Sequence, residues 1–590
     1  MAVDKREALR RAKAALDAHR SDEALVGLWA LVDRPHLSAD EFERTLRLMA
    51  RAYAMNGLGR PVSAIHLYLG DHDTALRTSD DPRDKARVRV AAGQLREAAK
   101  LYNEAGLLGH AAIQLEDAGD LRGARVLWER LSQDVRLQSE PYTLGLVRFN
   151  LGRCCEAQGD DAEARRATIA AIHLLEAAAD GFEAVGLRER AFDCFQILLV
   201  LGRDGAFENL AEGYRGCIRI LSEDNLKYYV LQYFEDFQKL ALERDVAAAA
   251  ALFREAAAFC RRHQLPYETH YRLQAAETQV RAARLLEQQA TPEMAENAYA
   301  SAIDLFNDLG AYSRIRDVYE ALSKLELGDA RVARYRRLQQ RLAAEQDEPI
   351  NTVAFPDYLR MDTAYPEIWR LDVIEWEQQG DAAETMSEVI LDAKWPDFTR
   401  RRALLCQLHQ LGTADALDLE GLKTLARRLG RVEIYAALGP LEFMIDHADA
   451  GVRAAVVEAA RQLFFKRTFG LIMRGLDDEI AAVQRQALEA VRQLHFGHAF
   501  DPLQRIYHRS QDAAVRSAAL ESIGRIPSLE SVEMLIDALR QGTPDERGQI
   551  LGLLVRADHS EADALLRRAH EVETGPTKEA LAQVITSRRR

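Results

Sequence analysis

The chain has few of the residues that interrupt helices. Its 590 residues include 15 prolines and 34 glycines, and both residue types are unfavourable in helix interiors. Alanine, leucine, glutamate and arginine are abundant instead, and these residues favour helices on entropic grounds. The length also exceeds the size at which a single core stops growing, about 250 to 300 residues. The composition therefore predicts an all-α protein made of several domains or one extended array.

Cysteine and strongly basic sequence are also scarce. The six cysteines include no CxxC pair, which argues against a disulfide framework or a zinc site. The formal net charge is −14, and no basic block could neutralise a row of phosphates, so we expect no nucleic-acid partner. No apolar run approaches the roughly 18 residues of a membrane span, and the N-terminal segment resembles no signal or transit peptide. We expect a cytoplasmic protein without a membrane partner, and its excess of arginine over lysine is typical of GC-rich bacterial genomes.

The motifs of common enzymes are missing as well. We find no phosphate loop, dinucleotide fingerprint, zincin motif or nucleophile elbow. Three weaker candidates have simple structural explanations as an inter-helix turn, a helix cap and packing residues: His495 with His498, Asp71 with His72 and Asp73, and Cys154 with Cys155. We therefore predict a non-enzymatic protein with no catalytic residue, no metal site and no cofactor.

One amphipathic segment occurs three times in the C-terminal half. The copies are VRAAVVEAARQL at 452–463, VQRQALEAVRQL at 483–494 and VRSAALESIGRI at 515–526. Apolar residues recur every four positions along each copy, which keeps one helical face apolar. A second apolar helix follows each copy, so the repeating unit is a helix pair. A period of 31 to 32 residues is typical of arrays in which neighbouring units complete each other's core.

These units resemble HEAT or HEAT-like repeats. Asp449 with Arg453, and Asp512 with Arg516, match the Asp-x-x-Val-Arg pattern of that family. The resemblance implies that the acid and the arginine bridge neighbouring units. The middle copy departs from the pattern, because Gln484 stands where the arginine is expected. Weaker copies on both sides extend the resemblance to roughly residues 366–585.

The N-terminal half resembles irregular tetratricopeptide repeats (TPRs). A turn glycine, an alanine five positions later and an aromatic residue four positions after that occur twice, as Gly93, Ala98 and Tyr102, and as Gly119, Ala124 and Trp128. The resemblance implies helix pairs in which the small residue allows close approach and the aromatic fills the neighbouring groove. The strict period of 34 residues is missing, so we describe residues 1–346 as a TPR-like domain.

A segment rich in proline separates the two patterns. Pro349, Pro356 and Pro366 lie close together in a stretch that cannot form one continuous helix. We predict a linker or junction at 347–366, a HEAT-like domain at 367–590, and early proteolytic cleavage near the junction. Three of the five tryptophans, Trp369, Trp376 and Trp395, follow this segment, and they fit either a junction core or an exposed recognition patch.

An aromatic cluster at 225–240 is the one candidate binding site. Its members are Tyr228, Tyr229, Tyr233, Phe234 and Phe237. On a helix, Tyr229, Tyr233 and Phe237 share one face, and Phe234 leans toward it. Burial between neighbouring helices explains such a face, and so does a groove that grips a partner. We name Tyr229, Tyr233, Phe234 and Phe237 as candidate partner-binding residues.

Taken together, the patterns favour an α-solenoid of stacked antiparallel helix pairs, with a TPR-like array followed by a HEAT-like array. The resemblances imply a scaffold or adaptor that binds partner proteins through the concave faces of the solenoid. Two alternatives stay open. The short repeat also resembles that of HEAT-like bilin lyases, which attach a tetrapyrrole to a protein. A HEAT-like DNA-binding protein or glycosylase is the third possibility, and the near-balanced charge of the C-terminal half disfavours it.

Overall fold

The structure is a computed structural model that describes residues 5–34, 37–185, 187–203, 207–223, 226–355, 366–378, 380–392, 394–412 and 417–588. These residues form thirty-three α-helices, four short 3-10 helices and no β-strand. Consecutive helices pack against each other as antiparallel pairs, which makes an α-solenoid-like repeat fold. The predicted fold class is confirmed. No helix among the described residues is both long enough and apolar enough to cross a membrane.

The first eleven helices contain the TPR-like pattern. They are α1 Lys5–Asp17, α2 Ser21–Val32, α3 Ala39–Met55, α4 Gly59–Tyr68, α5 His72–Thr78, α6 Pro82–Ala91, α7 Leu95–Glu104, α8 Leu108–Asp117, α9 Leu121–Leu131, α10 Pro141–Glu156 and α11 Asp161–Ala184. Gly93 and Gly119 end helices with φ values of 71° and 74°, a left-handed conformation that suits glycine. The alanine and aromatic residue that follow each glycine are buried. The predicted packing device is therefore present.

Eight longer helices follow. They are α12 Arg188–Arg203, α13 Phe207–Glu223, α14 Lys227–Arg244, α15 Val246–Arg262, α16 Glu268–Gln288, α17 Pro292–Asn307, α18 Tyr312–Leu322 and α19 Asp329–Arg341. Residues 347–355 of the predicted junction contain no helix, and 356–365 lie outside the described residues. Pro366 occupies the first position of the next helix, where its missing N–H costs nothing.

The HEAT-like pattern begins with ten helices. They are α20 Pro366–Gln378, α21 Ala382–Leu391, α22 Asp397–Leu411, α23 Leu419–Val432, α24 Leu438–Met444, α25 Ala450–Ala460, α26 Thr468–Leu476, α27 Ala481–Gln493, α28 Phe500–Arg509 and α29 Ala513–Ile523. The three sequence copies form α25, α27 and α29, and each is followed by a second helix, as predicted. The last four helices are α30 Leu529–Gln541, α31 Pro544–Arg556, α32 Ala562–Val572 and α33 Gly575–Arg588.

One predicted bridge between HEAT-like units is present, and the arginine makes it. Arg453 of α25 donates from Nε and Nη2 to the Asp478 carboxylate in the turn before α27, at 2.7 and 3.0 Å. Asp449 caps its own helix by accepting from the Val452 amide at 3.0 Å. In the middle copy, Gln484 donates to the backbone carbonyl of Asp478 at 2.6 Å. This contact lies within the middle unit, so it does not replace the bridge that Arg453 makes to the next unit.

The helices group into two compact units that do not follow the repeat types. One unit contains Met1–Glu189 and Tyr365–Ile526, and the other contains Arg190–Ala364 and Pro527–Arg590. Each unit thus combines helices from both sides of the predicted junction. The predicted boundary at 347–366 separates the two repeat patterns in the sequence. That boundary stays a prediction.

Within the first unit, polar side chains connect distant parts of the chain. Glu377 of α20 accepts from the backbone amides of Gly109 and His110 at 2.6 and 3.0 Å and contacts His110 Nδ1 at 2.7 Å. It therefore caps the start of α8, whose first amides have no partner inside the helix. Arg60 donates to Glu384 of α21 at 2.7 Å. These contacts join segments that are more than 260 residues apart.

The second unit has an equivalent set of internal contacts. Lys227 of α14 pairs with Asp537 of α30 at 2.7 Å, and both side chains are buried. The Tyr267 hydroxyl donates to Glu533 at 2.6 Å. Because an unpaired charge is costly to bury, these partners hold α30 in register against the start of α14.

Candidate functional site

The aromatic cluster predicted at 225–240 lies on α14, inside the second unit. Tyr233, Phe234 and Phe237 are 3%, 4% and 2% exposed, and Tyr228 is also buried. Tyr229 is half-buried. Buried side chains occur on several sides of this helix, including Val230 and Leu231, so the aromatic face does not border a groove.

The contacts of these rings explain their burial. Phe237 stacks on Tyr214 of α13 with ring centroids 4.6 Å apart. Tyr233 packs edge-on against Phe192 of α12 at 5.8 Å, and its hydroxyl accepts from Gln196 at 3.0 Å. A partner cannot reach side chains that are packed in this way. The assignment of Tyr233, Phe234 and Phe237 to a partner groove is therefore corrected, because these residues form core.

The weaker sequence candidates also have structural explanations. Asp71 accepts from the Thr74 amide at 3.2 Å and caps α5. Cys154 and Cys155 are buried, and burial, with the nearby Glu116 charge, raises the pKa of Cys154 to about 12. His495 is exposed, and the His498 side chain lies outside the described residues. Within the described part of the chain, no group of three or more His, Cys, Asp or Glu residues is placed to hold a metal ion.

The two tryptophans after the junction whose side chains the structure describes, Trp376 and Trp395, lie in different environments. Trp376 lies under the Arg136 guanidinium, whose Cζ is 5.1 Å from the ring centroid. Trp395 is exposed in the turn between α21 and α22. The Trp369 side chain lies outside the described residues. Trp376 therefore belongs to an internal contact of the first unit, whereas Trp395 lies at its surface.

A large apolar cleft opens on the first unit, and we call it the Phe443 cleft. Its volume is about 730 Å³, and its walls are the turn 57–61, the start of α21, the end of α22, and parts of α23 and α24. Phe443 of α24 is 72% exposed. Gly380 packs against this ring in the left-handed region at φ 77°, and an added Cβ there would come within 2.9 Å of the Phe443 side chain.

The polar groups of the Phe443 cleft bind their own neighbours. Asp381 accepts from the Ala383 amide at 2.9 Å and caps α21. Gln410 also accepts from the Ala383 amide at 2.9 Å. Arg60 pairs with Asp84 and Glu384. His447 accepts from the Asp449 amide at 3.0 Å. The remaining lining is leucine, methionine, phenylalanine, proline, alanine and glycine, so the cleft offers mainly apolar contact area. Sequence patterns missed this site because Phe443 belongs to a short helix without a recognisable period.

A second cleft on the same unit is rich in arginine, and we call it the arginine cleft. Its walls are residues 32–34, 37 and 42, α22, α23 and the turns after α23 and α25, and its volume is about 660 Å³. Five arginines and only two acids, Asp33 and Glu433, line it. The arginines are Arg34, Arg401, Arg402, Arg428 and Arg431. The cleft is not visible in the sequence, because its arginines come from three separate segments and none of them is a basic block.

Aromatic rings and acids hold the guanidinium groups of the arginine cleft. The Cζ atoms of Arg428, Arg401 and Arg402 lie 4.3, 4.9 and 5.5 Å from ring centroids. The rings belong to Trp29, Phe42 and Phe398 respectively. Arg428 pairs with Asp33 at 2.8 Å and Arg402 with Glu433 at 3.3 Å. Burial nevertheless lowers the pKa of Arg428, because Asp33 compensates for the lost hydration only in part.

Comparisons with known proteins agree with the repeat pattern of the C-terminal half. The family model for HEAT repeats matches residues 470–554, which extend from α26 to α31. The HEAT resemblance is confirmed for this stretch, whereas the TPR-like nature of the N-terminal half stays a prediction. No curated protein matches the chain.

Solved structures resemble the chain only weakly. "Structure of Naa15/Naa10 bound to HypK-THB" is 12% identical with a TM-score of 0.18, and the match covers 99% of this chain and 100% of that one. A circular tandem repeat protein with novel repeat topology is 14% identical with a TM-score of 0.11, and the match covers 90% and 98% of the two chains. Likeness at this level supports no argument about function.

Proposed function

We propose that this chain is a scaffold or adaptor that binds partner proteins, with the Phe443 cleft as a main contact surface. HEAT repeats usually mediate protein binding, and they occupy 470–554 here. The observation that carries the proposal is the exposure of Phe443 at the edge of a cleft of about 730 Å³. Exposed apolar surface of this kind marks interaction sites on soluble proteins.

The lining of the cleft supports a protein partner. Aromatic and long apolar side chains dominate binding energy at protein interfaces when they become fully desolvated. Asp381, Gln410 and Arg60 already have partners within the unit, so a partner can cover them without leaving an unpaired polar group. An amphipathic helix that places apolar side chains beside Phe443 fits this chemistry, because groove-binding helices use such anchors.

The test begins with identification of the partner at this position. Full-length protein carrying a photo-crosslinking phenylalanine analogue at position 443 is irradiated in its native cells, and the crosslinked protein is identified by mass spectrometry. The complex is then reassembled from purified proteins. We expect Phe443→Ala to raise the Kd at least tenfold, about 1.4 kcal/mol.

The matched control is Phe464→Ala. Phe464 is 59% exposed and does not line the Phe443 cleft, so its removal should change the Kd less than twofold. If no protein crosslinks at position 443, or if the two variants weaken the purified complex equally, the proposal is wrong.

We also propose that the chain catalyses no reaction. The bilin-lyase alternative is tested by incubation with a bilin and candidate acceptor proteins, followed by denaturing electrophoresis. A coloured covalent adduct that requires this chain would overturn the proposal. A glycosylase is tested with DNA carrying alkylated bases, and release of a base that depends on this chain would overturn it equally.

A further inference from the structure

The arginine cleft differs in charge from the rest of the molecule. The whole chain has a formal net charge of −14, yet five arginines face two acids in this cleft. A concave site lined by one sign of charge concentrates the field and attracts ligands of the opposite sign. The cleft therefore favours an anionic ligand on an otherwise acidic protein.

The guanidinium groups are held in position for such a ligand. Arg401 and Arg402 are adjacent on α22, and Arg428 and Arg431 lie three residues apart on α23, a spacing that puts both on one side of a helix. Three of these groups rest on aromatic rings at 4.3 to 5.5 Å. Stacking restricts the guanidinium while its edge keeps several donors. Less conformational entropy is then lost when a ligand binds.

Parts of the cleft are open to solvent. Arg402 and Arg431 are exposed or partly exposed, and Phe398 is 55% exposed. The acids that pair with arginines of the cleft, Asp33, Asp397 and Glu433, lie near the surface. Each acid occupies only some of the five donors of its arginine, so further carboxylates can bind beside it.

One feature favours a carboxylate-bearing protein segment over a free phosphate ion. All five cations are arginines, whose planar donors bind carboxylate and phosphate oxygens alike in pairs, so the apolar lining decides between the two. Phe398 and Leu405 add apolar surface beside the arginines, which a free inorganic anion would not use. A nucleic acid needs a longer row of cations to follow its backbone.

We propose that the arginine cleft binds an acidic segment of a partner protein, with glutamate or aspartate on the arginines and an apolar side chain against Phe398. This proposal rests on the scaffold function, and it specifies the chemistry of the partner. It concerns a surface separate from the Phe443 cleft, so each proposal can fail alone.

The test uses full-length protein and a fluorescent peptide in which glutamates alternate with leucine and glycine. We expect saturable binding by fluorescence anisotropy, weakened by salt. The same peptide with glutamine in place of glutamate should bind at least tenfold more weakly. The variant Arg402→Gln/Arg431→Gln should lose at least tenfold in affinity. Arg427→Gln is the matched control, because Arg427 is exposed on α23, pairs with Glu458 and does not line the cleft; its affinity should change less than twofold.

Several results would overturn the proposal. The first is that the acidic peptide does not bind. The second is that Arg427→Gln loses as much affinity for the peptide as the double variant. The third is that inorganic phosphate or single-stranded DNA binds more tightly than the peptide. Thermal melts confirm that each variant is folded, and Arg431→Gln alone replaces the double variant if that one is not. If Phe443→Ala weakens the natural complex while the peptide does not bind the arginine cleft, the scaffold function stands and this inference fails.

Discussion

At the scale of single residues, a partly buried ionic network holds the first unit together near the Phe443 cleft. Its members are three arginines and three acids, and each of them forms an ion pair with at least one residue of opposite charge. They are Arg60, Arg83, Arg87, Asp81, Asp84 and Glu384. Ser79 donates a further hydrogen bond to Asp84 at 2.6 Å. Removal of one member leaves its partner charged and desolvated, which is more costly than the loss of the bond itself.

Asp81 gives this network a defined pH dependence. Burial opposes ionisation of its carboxyl group, but hydrogen bonds from the Arg83 side chain and amide and the charge of Arg60 outweigh burial and lower its pKa to about 2. In the unfolded chain, the pKa of an aspartate is about 3.9. The ionised carboxylate therefore contributes stability, about 2 kcal/mol, that is fully present above about pH 4 and is lost as the pH falls through about 2.

We expect Asp81→Asn to lower the unfolding free energy by about 2 kcal/mol at pH 7 and by roughly half as much at pH 3. Asparagine keeps the capping acceptor, so the comparison isolates the charge. Chemical denaturation at the two pH values measures the difference. Asp80→Asn, at the neighbouring exposed position, should leave stability unchanged at both. An Asp81→Asn effect of equal size at pH 7 and pH 3 would contradict this account.

The aromatic residues of α14 show why single-residue function is hard to predict. The sequence reveals that Tyr233 and Phe237 share a helical face, but not what faces them. In the structure, Phe192 and Tyr214 cover these rings. The sequence also does not reveal that Phe443 is exposed or that the arginines of the arginine cleft lie together. Both features depend on tertiary contacts, which leave no periodic pattern in the sequence.

At the scale of helices, the sequence was more informative. The three copies at 452–526 predicted three helices with a second helix after each, and all six are present. The N-terminal pattern predicted helix pairs but not their lengths. Between Gly93 and Gly119, α7 and α8 have only ten residues each, whereas α10 has sixteen. Helices of such different lengths explain why the glycines show no constant period.

Turn glycines provide a test of the helix-pair interpretation. Gly93 ends α6 with φ 71°, and Gly27 lies within α2 without a positive φ; neither has an atom within 4 Å of an added Cβ. The two sites therefore differ in backbone conformation and not in space. Gly93→Ala should destabilise by about 1 kcal/mol because alanine disfavours the left-handed region. Gly27→Ala should stabilise by roughly 0.5 to 1 kcal/mol.

Thermal or chemical unfolding of both variants measures these effects. Gly93→Asn should be milder than Gly93→Ala, since asparagine tolerates the left-handed conformation. If Gly93→Ala and Gly27→Ala change stability in the same direction, the turn at Gly93 does not have the conformation described.

At the scale of the whole molecule, repeat type and compact unit are different divisions. Proline content and repeat pattern mark the junction at 347–366, and such local signals are visible in sequence. The composition of each unit depends on contacts such as Glu377 with His110 and Lys227 with Asp537. The residues of each pair are hundreds of positions apart, on opposite sides of the predicted junction, so no local sequence pattern predicts the contacts.

This organisation predicts the behaviour of a chain cut at the junction. Residues 346–349 are exposed and without helix, so a glutamyl endopeptidase should cut first near Glu345 or Glu348. Each resulting fragment then contains part of both units. We expect the fragments to co-elute at the position of the intact chain in native size-exclusion chromatography, and to separate only in denaturant.

The fragments should stay together because, in each unit, buried side chains of one fragment contact side chains of the other. In the first unit, Arg60 and Glu384 would lose their ion pair on separation, and the start of α8 would lose its Glu377 cap. In the second, Lys227 and Asp537 would each leave a buried charge unpaired, at a cost of several kcal/mol. Cleavage alone supplies no energy to offset these losses. If two folded fragments separate in native buffer, residues 1–346 and 367–590 form independent domains. The two compact units would then not be the folding units of the chain.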